Sequence, residues 1–488
     1  MEWRIPEPCI NCHSAWPTRD KPSTVCRSCT EITKTRKEKN KKNKTPLAAT
    51  HPLSRDNGMV PNVGSAPPNN LPVLSELEEM FIARIHPIMG CYRKTSGHSG
   101  MKGHCANVYQ DHTAVLNSLP QRVEDLPVYL AARTANVAAD EVDFAPLIVR
   151  REAILRWLTF LQKNNPLYHE DTGFTIDMTA LNKLPETGVP DGLRRMFDAT
   201  GSTSGNDVER HPCDEAGGED DGPVITHSFF PKNKLPQESV KTKMAAAFAQ
   251  FNARNPDVPS DVRNTEHVDW PKLFGIVNEL EETRGYAALA FPVLFPYGPD
   301  GDPTVPDRKV DVDLQLALKH LLRFGVKRAD GTTCHPFAEH RRFPFWSLNT
   351  LQRKQTLGRS NYYFKQNPYD ALMTREEMEE MLRADPASVT ALHRRLKNST
   401  VQLMGTAAFW GRKAKQLEAL VEQKGDPTLF YTFSIADNHF PEFHRLVTAE
   451  GTESTSADRV KAAITNAIMF NELAYHRMRD FVQSFRIT

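Results

Sequence analysis

The sequence of 488 residues lacks any long apolar run. Its most apolar stretch, Tyr286 to Phe295 (YAALAFPVLF), is ten residues long and includes a proline. A helix that crosses a bilayer needs about 20 residues, so no membrane association is expected. The start, MEWRIPEPCINC, has no charged segment followed by an apolar one, so no secretory signal is expected either. No internal repeat is present. No G-x4-G-K-S/T phosphate loop occurs, which removes the usual site for a nucleotide cofactor and for ATP-driven unwinding. Hydrophobic residues are scarce at 39%, whereas 35 prolines and 25 glycines point to compact pieces joined by linkers. The length suggests about two to four domains. A large net charge is also missing: the total is +1, so the molecule as a whole is not a polycation.

What charge there is lies unevenly. Residues 1–46 carry 11 Lys and Arg against 5 Asp and Glu. Within them, Cys9-x2-Cys12-x13-Cys26-x2-Cys29 is the strongest chemical signal in the chain. Two Cys-x2-Cys knuckles can place four thiolates around one tetrahedral ion, here zinc. Thirty residues with two tryptophans and few aliphatics cannot form a core alone, so the metal would supply the folding energy. Four thiolates fill the coordination shell, and the zinc would therefore be structural. The plainer alternative is four unrelated thiols. The spacing also favours a reducing compartment over disulfides.

Lys34 to Lys44, KTRKEKNKKNK, follows directly, with seven cations and one acid in eleven residues. Lys34, Arg36, Lys37, Lys39, Lys41, Lys42 and Lys44 could contact a phosphate backbone or direct nuclear import; a solvated tail is the alternative. A second set of cations, Arg341, Arg342, Arg353 and Lys354, alternates with Phe343, Phe345 and Trp346. Aromatics among cations suit base stacking on single strands, although the same rings could simply pack in a core. Cys91, His98, His104 and Cys105 have a spacing that fits no common metal site and read as turn and core residues.

Composition divides the chain into a four-cysteine module with its basic tail (1–46), a linker (47–70), a small α+β domain (71–170), an acidic, Gly-rich and largely disordered linker (171–265) and a larger mixed region (266–488). With a long linker between them, loss of the metal should leave residues 266–488 folded. Ser75 and Glu78 form a capping box ahead of a helix limited by Pro87. Ile154, Trp157, Leu158 and Leu161 share one face of a helix stopped at Asn165-Pro166. Leu403, Ala407, Trp410, Ala414, Leu417 and Val421 mark an amphipathic helix, and Val460, Ile464, Ala467, Ala474, Met478, Phe481 and Phe485 mark another. Between these two helices, GDPTLFYTFSIADNHFPEF (425–443) reads as a turn and a strand ending in Asp437, His439 and Glu442.

Three blocks of the larger region resemble the N-terminal part of Helitron transposases, the rolling-circle type that joins a Rep-like nuclease to a helicase. They are GYAALAFPVLFPYG (285–298) with HPFAEHRRFPFWSLNTLQRKQTLGRSNYYFKQNP (335–368), GTAAFWGRKAKQLEALVEQKGDPTLFYTFSIADNHFPEF (405–443) and DRVKAAITNAIMFNELAYHRMRDFVQSF (458–485). Residues 71–170 are similar to a domain that often sits upstream, through EEMFIARIHPIMGCYR, GHCANVYQD, LPVYLAAR and VRREAILRWL. The resemblance implies an α+β fold in which Phe430 to Ser434 begins a Rep-like antiparallel sheet. It also implies DNA, in single-stranded form, as the partner. The family's metal-binding His-hydrophobe-His pair and its nucleophilic tyrosines lie further downstream, and no His-x-His occurs in this sequence. The family's tryptophan before Pro-Glu is Phe440 here.

The expectation is therefore a nuclear, DNA-engaging portion of a Helitron-like protein, truncated before its catalytic motifs, with no catalytic residues assigned and with neither nuclease nor helicase activity. One alternative is a host-retained, zinc-dependent DNA-binding or interaction protein. Another is an enzyme with an unusual metal site on Asp437, His439 and Glu442.

Overall fold

The computed structural model describes residues 3–43, 50–64, 67–87, 91–93, 99–101, 116–122, 129–132, 148–190, 225–228, 283–366, 401, 407–426, 439–449 and 454–484. The chain divides into two compact units. One comprises Met1–Lys102, Tyr109–Pro344 and Ala436–Thr488, and the other Gly103–Val108 and Phe345–Ile435. The fold mixes helices with a few short strands and is α+β. Among the described residues, helices of seven residues or more are α1 (Arg27–Asn43), α2 (Glu76–Ile82), α3 (Arg151–Asn164), α4 (Leu314–Leu322), α5 (Phe343–Gln366), α6 (Ala407–Lys424), α7 (Pro441–Val447), α8 (Ser456–Thr465) and α9 (Ala467–Ser484).

In the first unit, α2 begins at the expected capping box: the Glu78 N–H donates to Ser75 Oγ, and the Ser75 N–H donates to Glu78 Oε2 at 2.7 Å. The buried Glu78 carboxylate also accepts from the Arg150 N–H and guanidinium, which ties α2 to the start of α3. The helix ends at Ile82, five residues before Pro87, because the Arg84 and Ile85 N–H groups turn to Leu289 O instead of the helix ladder. α3 buries Ile154, Trp157, Leu158 and Leu161 as its periodicity dictates, and the Asn165 side chain accepts from Leu167 N at its end.

Among the described residues, four strands of three or more residues, β1 (Cys91–Arg93), β2 (Ser99–Met101), β3 (Tyr129–Ala132) and β4 (Ile225–Ser228), form an antiparallel sheet in the order β2-β1-β4-β3. Thr226 lies opposite both Tyr92 and Ala131. β4 falls inside 171–265, the stretch expected to be largely disordered. Residues 171–190 are ordered as well. Thr175–Ile176 pairs in parallel with Ser118–Leu119, Asp177 caps the short helix Met178–Asn182, and Thr187–Gly188 pairs with Val149–Arg150. The bulk polarity of a long segment conceals short pairing elements within it. The most polar part, 201–223, lies outside the described residues, as do His98, His104 and Cys105.

Residues 50–64, expected to be linker, are packed into the first unit. Leu53, Met59 and Val60 are buried, and so is Asn57, whose side chain donates to Pro52 O and Val310 O and accepts from Val310 N. Gly301 donates its N–H to Gly58 O at 2.8 Å. It has φ +84, and a Cβ there would lie 2.5 Å from Pro61 Cγ, so only glycine fits. The apolar run from Tyr286 to Phe295 is core, with Phe291 and Phe295 fully buried.

The last apolar pattern forms two helices, not one. α8 starts at a Thr455–Asp458 capping box, and Asn466 interrupts the run, its side chain donating back to Ala462 O. Ala463, Met469, Leu473 and Ala474 are buried, whereas Met478 and Phe481 are exposed. Phe440 is buried against Phe443 and Phe470. In the second unit α6 forms as expected, but Trp410 and Leu417 are 60% and 62% exposed. Spacing specifies a helix; it does not specify what covers it. Phe430 to Ser434, the expected first Rep-like strand, lies outside the described residues, with Asp437.

Candidate metal centre and basic helix

The four predicted cysteines come together. The Cys9, Cys12, Cys26 and Cys29 sulfurs all lie within 4.8 Å of one another, with Cys12 and Cys26 at 3.6 Å. Four sulfurs bound at about 2.3 Å in a tetrahedron are about 3.8 Å apart, so the quartet could hold a metal ion. None of the four is in a disulfide. Local structure accounts for the arrangement. The first knuckle closes as the His13 N–H donates to Cys9 O at 2.8 Å, with His13 at φ 54. The Cys26 N–H donates to Cys9 Sγ at 3.3 Å, and the second knuckle runs into the first turn of α1.

Sulfurs this close must share protons when no cation is bound. Cys9 is pushed far below the ordinary thiol range by hydrogen bonds from Cys12, Cys26 and Cys29, and Cys12 far above it by hydrogen bonding to Cys26 and Cys29. A divalent ion would remove this conflict, because every ligand then binds as thiolate. The quartet is not a surface appendage. Cys9, Cys12 and Cys29 are buried together with Leu53, Met59 and Ala317, so the 50–64 segment and α4 complete the core of the four-cysteine module. Among the described residues this is the only group of three or more His, Cys, Asp or Glu side chains close enough to hold an ion. Of the alternative trio, His439 is exposed and Glu442 pairs with Arg477 at 3.4 Å.

The basic run is helical. Lys34 is exposed on α1, and Arg36 is half-buried and donates to Thr50 O at 2.6 Å, a structural tie between helix and following chain. Lys37, Lys39, Lys41 and Lys42 lie along α1 with side chains outside the described set, and Lys44 lies beyond it. The second cation set includes a buried member. Arg342 is only 2% exposed, 5.8 Å from the Phe291 ring and 4.0 Å from Glu79, so it is a core residue and cannot meet a phosphate. Arg341 is exposed and pairs with Glu76 at 3.5 Å. Phe343 and Trp346 are buried, which is the packing role and not a stacking one. Arg353 and Lys354 lie on α5 in the other unit, half-buried and exposed respectively.

Sequence reasoning missed the contacts of Trp16, which donates from Nε1 to Glu472 Oε2 at 2.8 Å and packs edge-on against His335. Two tryptophans in a module too small to bury them was the available signal. Among the described residues no helix is long and apolar enough to cross a membrane.

Residues 333–483 match the family model described as the Helitron helicase-like domain at N-terminus. Residues 48–182 match a domain of unknown function, DUF6570. No curated protein and no solved structure gives a match.

Proposed function

We propose that this chain, which carries a Helitron helicase-like domain over residues 333–483, is a nuclear, DNA-engaging part of a Helitron-type rolling-circle transposase that as it stands neither cuts nor unwinds DNA. Its four-cysteine centre holds a structural zinc ion, which soft thiolate ligands in a tetrahedral set favour. The observation that carries the reading is the continuity of that centre with the basic helix. Cys29 sits in the first turn of α1, so the ion anchors the helix along which Lys34, Lys37, Lys39, Lys41 and Lys42 lie. A pre-formed cationic helix meets phosphates at a smaller ordering cost than a free tail would.

The reading is supported on the negative side by the sequence itself, which contains neither a His-x-His pair nor a phosphate loop. The test is binding of a labelled single-stranded oligonucleotide to the zinc-loaded chain across a salt series. Log affinity should fall with log salt at about 0.7 per phosphate contacted. Changing Lys34, Lys37, Lys39, Lys41 and Lys42 together to Gln should flatten the slope by about 3 or more if all five make contacts. An unchanged slope would remove α1 from the interface, and no binding at any salt would refute DNA engagement.

A further inference from the structure

The amino-terminal loop that carries the first knuckle is clasped onto one stripe of the C-terminal helix. An antiparallel bridge between Arg4 and Thr18 closes the base of this loop, with N–H···O bonds of 3.2 and 2.9 Å. At its far end are Cys9 and Cys12. Between them and the base, Ser14 bridges Phe324, the Ala15 N–H donates to Arg323 O, and the Gly325 N–H donates to His13 O. The aromatic and charged side chains of the loop then reach α9. Trp16 donates to Glu472 at 2.8 Å, and Arg323 donates to the same carboxylate at 3.1 Å. The Trp3 ring lies 5.2 Å from that of His476, and Arg19 stacks over Trp3 and pairs with Asp480.

Glu472, His476 and Asp480 are spaced four apart, so the loop contacts a single line along the helix. Beyond its backbone bonds, the loop has little apolar burial of its own to hold this shape, since two of its buried apolar groups are the knuckle cysteines themselves, alongside Ala15 and Trp16. Only three residues separate Cys12 from Trp16, which makes the position of the indole a consequence of how the knuckle is closed.

We infer that metal binding at the four cysteines is a clamp, coupling the amino-terminal loop to the Glu472–His476–Asp480 stripe so that occupancy of the ion sets whether α9 is docked. The inference rests on the metal-centre reading above and goes beyond it, because a structural ion could as well stabilise only its own thirty residues.

Hydrogen exchange of the full-length, zinc-loaded chain, read by mass spectrometry before and after a zinc chelator, tests it. Chelation should speed exchange at least tenfold in 467–484 as well as in 3–30, while 151–164 in α3, the internal reference, stays protected. Glu472→Ala should give the same fast exchange in 467–484 with about one zinc still bound per chain, and chelation should then add little there. Zinc release with 467–484 unchanged would overturn the clamp and leave the metal centre standing. Equal loss of protection in α3 would overturn it too, since the ion would then support the whole unit. A chain that binds no zinc would overturn both.

Discussion

Adding a single methyl group at Gly325 should weaken the seat of the loop that carries Cys9 and Cys12 without touching a cysteine. A Cβ there would lie 2.5 Å from the Ala15 Cβ and 3.0 Å from Thr333 Cγ2. Carbon atoms prefer about 3.5–4.0 Å, so one side must move. Ala15 cannot retreat freely: its N–H donates to Arg323 O at 3.1 Å, and its carbonyl accepts from His335 Nε2 at 3.2 Å. Overpacking of this kind costs about 1–3 kcal/mol. Replacing glycine also restricts the unfolded chain, which contributes about 0.4–1 kcal/mol in the opposite direction. Gly325→Ala should therefore lose about 1–2 kcal/mol net. The assay is urea unfolding of the zinc-loaded chain followed by tryptophan fluorescence, with metal content measured on the same sample. A lowered midpoint at unchanged zinc content is expected. A variant as stable as the parent would mean that Ala15 is not packed against residue 325, and the docking described for the loop would fall with it.

Arg342→Gln should leave oligonucleotide affinity unchanged but cost about 2 kcal/mol of stability, measured by thermal unfolding, because it strips a buried partner from Glu79. Acid should loosen the first unit before carboxylates titrate. Burial pushes His335 and His320 down to about 4, against about 6.5 in an unfolded chain. The unfolded state thus binds the extra protons, so stability is full above about pH 6.5 and declines as pH falls toward 4. Urea midpoints at pH 7.5 and 5.0 should differ accordingly, and His335→Asn should reduce the difference. With single-stranded DNA and Mn²⁺, no covalent protein–DNA band should form on a denaturing gel; a band lost on Tyr431→Phe would make the chain a nuclease.

The four-cysteine cluster was legible because the coordination chemistry it suits fixes both residue type and spacing, and nothing distant is needed to read it. Caps and faces of single helices, such as Ser75 with Glu78 or Ile154 with Trp157, were legible for the same local reason. Partners across the sequence were not. Residues 50–64 looked like linker because proline, glycine and asparagine recur through them, yet Leu53, Met59 and Val60 supply the apolar contacts that those residue types only punctuate. Arg342 looked like a phosphate contact because alternation of cations and aromatics describes a stacking surface and a buried cation–ring contact equally well. The stripe Glu472, His476, Asp480 carries no sign of its partner, since its meaning lies more than 450 residues away at Trp16 and Arg19.

The metal content of the purified chain, prepared without chelator, tests the account most directly. Elemental analysis should give about one zinc per chain, and Cys26→Ser should bring it close to zero. A chain without metal whose Cys9, Cys12, Cys26 and Cys29 thiols all react freely with a thiol reagent while the first unit remains folded would contradict it.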